Sequence, residues 1–242
     1  VSGAMLAGAS LTDAILTGVT LSDIRDHIDI GTAITDENVG IPLSHLEHPL
    51  PKLVDDHRQW VQTSGAQGRQ LDLSGYDLRA LRSLKREKLT AIRAERAKFF
   101  GLNLFEVEMQ SSILDGSDFR NCDMEGADLR ASSLKGANLN HARMKSANLA
   151  PLMFGTGGVG RFAPCDLTGA HMRYADLSGA TLKNVSLKGA DLSYANLTGA
   201  DLREADLTDA ILTGTIFDNT DTTGTIFPTG STGRTFSIES IR

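Results

Sequence analysis

Between Cys165 and Phe217 the chain reads CDLTG AHMRY ADLSG ATLKN VSLKG ADLSY ANLTG ADLRE ADLTD AILTG TIF. Cut in fives, it places Leu, Met or Phe at every central position from Leu167 to Phe217, with Ala, Val, Cys or Thr two residues earlier. A continuous strand cannot use this spacing, because side chains alternate with period two and an odd repeat would send successive leucines to opposite faces. A continuous helix fails as well. A five-residue step advances the side chain by roughly 140°, so the leucines would spread round the cylinder and form no stripe. The chain must therefore turn within every pentad. Ala175-Asp176-Leu177 reads in, out, in, and Ser178-Gly179 is small and polar enough to make the corner.

The pattern resembles the pentapeptide-repeat family, A(D/N)LXX. The resemblance implies an all-β solenoid, a right-handed quadrilateral β-helix with about four pentads per coil. Handedness and coil size come from the resemblance, not from the spacing. It also implies a bacterial, cytoplasmic, non-catalytic scaffold or protein-protein interaction module. Some members of the family protect or inhibit DNA gyrase by imitating the shape and charge of duplex DNA, so a type II topoisomerase is the alternative partner.

Composition agrees with a fold that has no single large core. Aromatic residues make up 5% of the 242, glycines number 24, and the formal net charge is −6, which disfavours non-specific binding to nucleic acid. The two cysteines, Cys122 and Cys165, each stand two before a central residue and read as small buried thiols. No apolar run reaches the roughly 18 residues that a membrane span needs. Val1 falls on a central position of the frame that continues at Leu6, Leu11, Leu16 and Leu21, so the sequence reads as beginning inside a repeat of a larger protein, and targeting signals could precede it.

In chain order, residues 1–24 give one coil of pentads, the end of an upstream β-helix or a coil docked on the main one. Residues 25–48 lose the frame and read as an acidic linker. Residues 49–68 predict a capping helix: Pro49 and Pro51 suit its entry, Leu53, His57, Trp60 and Val61 recur at helical spacing, and Gly65 stops it. A solenoid end has unpaired backbone that needs such a cover. Residues 69–229 form the main β-helix, with an insertion loop at 155–164, and 230–242 a loose tail. Within the main block, 79–98 reads either as irregular pentads or as an amphipathic helix.

Candidate sites are few. Gly155 to Gly160 spells GxGxxG, but a phosphate site needs a helix directly after the glycines, and Pro164 and a new pentad follow instead. It reads as a projecting loop, with Arg161 and Phe162 as candidate contacts to a partner. His45 and His48 lack further ligands nearby and read as solvated linker residues. No constellation for catalysis, cofactor or metal is expected. If residues twenty apart stack, Tyr174 lies under Tyr194 with His171, Arg173 and Asp191 beside them, a partner-binding candidate. Asp201, Asp206 and Asp221 are the acidic residues that a DNA mimic would use.

Overall fold

The structure, a computed structural model, describes residues 8–12, 14–18, 28–31, 33–154 and 161–229, the Arg161 side chain excepted. The chain divides into two compact units, Val1–Ile41 and Pro42–Arg242.

In the first unit, parallel bridges join Ser10 to Asp29 and Ile15 to Ile34, and Ile28, Ala33 and Thr35 are buried. The described part of the stretch read as a linker from residue 25 therefore carries two further pentads. Two features hide them in the sequence. The pairs are nineteen residues apart where the second unit settles on twenty, and the second pentad has a polar Thr35 at its centre.

The second unit begins with a short 3-10 turn, Leu43–His45, followed by a helix, Leu50–Gln62, entered through Pro49 and Pro51. Proline suits this place because the first helical N–H groups have no partner within the helix. The stretch left open between helix and pentads resolves as pentads. A short 3-10 turn, Arg79–Leu81, absorbs one extra residue, and bridges then follow at Ser83, Lys88, Arg93 and Lys98.

From Ser83 to Asp128, and again from Asp166, each bridge to the next coil joins residues twenty apart: Ser83 to Asn103, Lys88 to Glu108, Arg93 to Ile113, Lys98 to Asp118. Four ladders thus run along the coils, one for each pentad of the turn. Pairing is by single-residue bridges and not by long strands, since three extended residues between corners leave room for no more. Taking Ala190-Asp191-Leu192-Ser193-Tyr194 as inner, outer, central, first-corner and second-corner positions, the bonding around one pentad repeats through the solenoid. The inner N–H donates to the preceding central carbonyl (Ala175 to Met172, 3.1 Å). The central N–H donates upward to the outer carbonyl of the next coil (Met172 to Asp191, 2.7 Å), and the outer N–H donates downward to the inner carbonyl (Asp191 to Ala170, 2.9 Å). The second-corner N–H donates upward to a first-corner carbonyl (Tyr174 to Ser193, 3.1 Å). In the inner coils the outer, central and second-corner N–H groups are thus satisfied between coils and the inner N–H within its own coil, which is how a chain without long strands stays ordered.

The leucines from Leu177 to Leu207 are all inside, with Ala175, Ala190, Ala195, Ala200 and Ala205. Inner positions accept Ser, Thr or Cys because the polar atom finds the central carbonyl of the coil below: Ser132 to Met109 at 2.6 Å, Thr220 to Leu197 at 2.7 Å, Cys122 to Phe99 at 3.0 Å. Burial pushes the Cys122 and Cys165 thiols up to about 12, so both stay protonated and are poor nucleophiles. At the centre of the lower coils Phe99 and Phe119 stack at 4.5 Å.

The break after Leu149 is an excursion, not an end. Ser133 bridges to Asp166, thirty-three residues on, so thirteen residues loop out and the ladders resume in register. Its described part is an antiparallel pair, Leu152–Phe154 with Arg161–Ala163, in which Met153 faces Phe162. The GxGxxG segment, 155–160, lies outside the described residues, as does the tail from 230.

Candidate functional site

The most distinctive surface feature is one column of second-corner positions. Its members Asn121, His141, Tyr174 and Tyr194 take a left-handed backbone, with φ between 56° and 60°. The corner fixes the direction of each side chain, and coil stacking sets one above the next. His141 lies on Tyr174 at 5.0 Å and 8°, and Tyr174 on Tyr194 at 5.0 Å and 7°. The spacing is close to the ~4.8 Å between paired strands, so the rings follow the ladder beneath them. Above Tyr194 comes Gly214, at φ 67°, where a Cβ would stand 2.6 Å from the tyrosine ring. The absence of a side chain there lets the ring lie against the next coil.

Tyr174 and Tyr194 are each about half exposed (48% and 46%). Their faces are occupied by one another, so the column offers ring edges and phenol hydroxyls to solvent. Arg173 lies 6.0 Å from the Tyr174 ring centroid and 3.7 Å from Asp191, and His171 bridges Asn138 and Asp191 on the adjoining wall. Tyr174, Tyr194, His171 and Arg173 thus come together, with His141 as a further member that counting in twenties misses. It stands thirty-three residues before Tyr174, and only the length of the insertion reveals the partnership.

The hairpin belongs elsewhere. It leaves the coil about ten residues after His141, half of a twenty-residue turn, and so emerges at the opposite corner. Phe162 is exposed beside Met153 and Phe154, and the strand Arg161–Ala163 that carries it runs apart from the tyrosine column despite its closeness in sequence.

The acidic candidates are paired. Asp201 bridges to Asp221, and Arg203 sits between them, 2.6 Å from Asp201 and 3.6 Å from Asp221. Asp206 bridges to Ser186 and meets Lys188 at 3.0 Å. The Arg203 guanidinium holds the Asp201 carboxyl below its ordinary range, and the Thr223 hydroxyl does the same for Asp221. At Asp206 desolvation pushes upward, but bonds from Thr208 and Lys188 outweigh it and the carboxyl is again lowered. All three remain ionised at neutral pH, with their field partly cancelled by cations on the same face. Elsewhere on the coils Lys98 and Asp118 share a backbone bridge, and Arg143 reaches both Asp123 (3.4 Å) and Glu125 (3.1 Å).

A family model for pentapeptide repeats matches residues 112–149, 162–199 and 186–224, in 8 copies. The chain therefore carries pentapeptide repeats. Among solved structures, it is similar to HetL from the cyanobacterium Nostoc sp. strain PCC 7120, a pentapeptide repeat protein involved in heterocyst differentiation regulation (28% identity, 67% of this chain and 81% of that one, TM-score 0.31). It is also similar to a trypsin-treated form of QnrB1, a plasmid-mediated fluoroquinolone resistance protein (18% identity, 72% and 89%, TM-score 0.37). A third is a pentapeptide repeat protein from the Arabidopsis thaliana thylakoid lumen (26% identity, 58% and 71%, TM-score 0.28). No curated protein matches the sequence. Among the described residues no helix is long and apolar enough to cross a membrane.

Proposed function

We propose that the chain is a non-catalytic interaction scaffold, a right-handed quadrilateral β-helix that acts in the bacterial cytoplasm as part of a larger protein. In this reading 69–229 is the working module and 49–68 its cap. The observation that carries the reading is the His141, Tyr174 and Tyr194 column. Aromatic rings with polar tips, fixed in place before a partner arrives, lose little conformational freedom on binding and are typical anchors of protein interfaces. Arg173 and Asp191 beside them supply a polar rim of both signs.

A DNA mimic would need a continuous field of like charge, and Arg203 and Lys188 interrupt it at the three aspartates best placed to provide one. Purified DNA gyrase is accordingly expected to supercoil DNA normally in the presence of micromolar protein. Inhibition of supercoiling, or protection of gyrase from a drug, that weakens with salt and disappears in an Asp201→Asn, Asp206→Asn, Asp221→Asn variant would overturn the scaffold reading.

A further inference from the structure

Within the second unit no described pentad precedes Leu71, and two backbone groups of the first coil lack the partners that their counterparts in later coils have. Leu71 is an inner residue whose N–H should donate to a preceding central carbonyl, as Ala175 does to Met172. Thr90 is a first-corner residue whose carbonyl should accept from a second-corner N–H of a coil below, as Gln110 accepts from Ala91. One side chain on the helix Leu50–Gln62 replaces both. His57, fully buried, accepts from the Leu71 N–H at Nδ1 (3.1 Å), and its Nε2 donates to the Thr90 carbonyl (2.9 Å). The two bonds fix the tautomer, with the proton on Nε2 and a lone pair on Nδ1.

We propose that His57 is a proton-sensitive latch: the helix covers the first coil only while the imidazole is neutral, and acidification uncovers the edge formed by Leu71 and Thr90. A second proton could go only to Nδ1, where it would point at the Leu71 N–H. Donor would then face donor inside a buried contact. The charged groups around this contact are Lys52, Asp55, Asp56 and Arg58 on the helix and Arg69, Asp72, Glu87 and Arg93 on the chain that it covers. They are engaged with one another: Lys52 with Asp56, Arg58 with Asp55 and Glu87, Arg93 with Asp72. Arg69 pairs with Glu47. Both imidazole nitrogens are taken by backbone, so no carboxylate is bonded to the ring to favour its charged form.

Desolvation lowers the His57 pKa from its ordinary 6.5, and the bond to Thr90 opposes this only in part. The uncapped state therefore takes up a proton at higher pH than the capped one. The latch is at full strength above about pH 6.5, weakens as pH falls below that value, and loses no more once the capped state is itself protonated.

Trp60, the chain's one tryptophan, lies 5.8 Å from the His57 ring and reports on it directly. In a titration of the full chain from about pH 7.5 to about pH 4.5, Trp60 emission should shift with a midpoint below about 6.5 while the far-ultraviolet dichroism of the coils stays constant. His57→Gln should abolish that transition. Should this variant not fold, hydrogen exchange of the unaltered chain gives the same answer. After correction for intrinsic rates, exchange in residues 50–62 and at Leu71 should rise at least about tenfold between the two ends of the range, with protection from Leu177 to Leu207 unchanged. Emission that stays flat, a transition that persists in His57→Gln, or exchange that rises equally along the whole solenoid would each refute the latch.

Discussion

Phe119→Ala should lower the stability of the full chain by about 3–5 kcal/mol, seen as a clear fall in the urea midpoint. Phe119 is fully buried and stacks on Phe99 at 4.5 Å, so truncation removes a ring from the middle of a column that has no solvent to refill it. Collapse around the hole is resisted from four sides. The Asp118 bridge ties that pentad to Lys98 below and Asn138 above, and the other three walls are tied in the same way. A solenoid coil is stabilised mainly by its two neighbours, so damage at one coil weakens both interfaces. An unchanged midpoint would mean that the aromatic column is not part of the core.

Gly68→Ala should detach the helix at neutral pH. Gly68 has φ 74°, and a Cβ there would lie 2.1 Å from the Asp56 carbonyl oxygen and 2.7 Å from the Trp60 nitrogen. Both atoms are helix backbone and cannot swing aside as a flexible side chain would. The left-handed conformation alone costs an L-residue about 1–2 kcal/mol. Overpacking adds about 1–3 kcal/mol. Together these come to about 2–5 kcal/mol, set against about 0–1 kcal/mol for the Arg58–Glu87 ion pair and about 0.5–1.5 kcal/mol for each of the two His57 hydrogen bonds, so the balance tips toward release. The expected result is a red-shifted Trp60 emission and fast exchange at Leu71, with the melting of the coils retained. Native emission and protection in this variant would show that helix and coil are held together by contacts other than those around His57.

The repeat was legible because it is local. A central leucine, a small inner residue and a polar corner recur within five residues, and each is forced by a side-chain direction that the three-residue wall dictates. Coil size was not legible from the pentads, since the residue that bridges to Lys98 is decided by how the corners close, which depends on neighbours above and below. The pentads after residue 25 escaped notice, and 79–98 stayed open between pentads and a helix, for a related reason. Thr35 at a central position hides the frame, and Arg79–Leu81 inserts a residue into it. Of the candidate site, Tyr174 and Tyr194 follow from counting in twenties, whereas His141 needs the length of the excursion after Leu149. The separation of that hairpin from the tyrosines needs it too. His57 was read only as one position on an apolar helical stripe. Its role depends on two unpaired backbone groups that exist only once the first coil is closed.

The claim that the tyrosine column is the working surface is tested most directly by comparative capture. The chain, a Tyr174→Ala, Tyr194→Ala variant and an Asp201→Asn, Asp206→Asn, Asp221→Asn variant are immobilised side by side and exposed to the same bacterial extract. Tyr174, Tyr194 and Asp221 are exposed and Asp201 and Asp206 half-buried, and urea melts recorded beside the capture check that both variants are folded. The account predicts a bound protein that the unaltered chain and the aspartate variant retain equally, and that the tyrosine variant loses by at least about tenfold, the effect expected of interface anchors. Equal retention by the tyrosine variant, with loss in the aspartate variant, would contradict it.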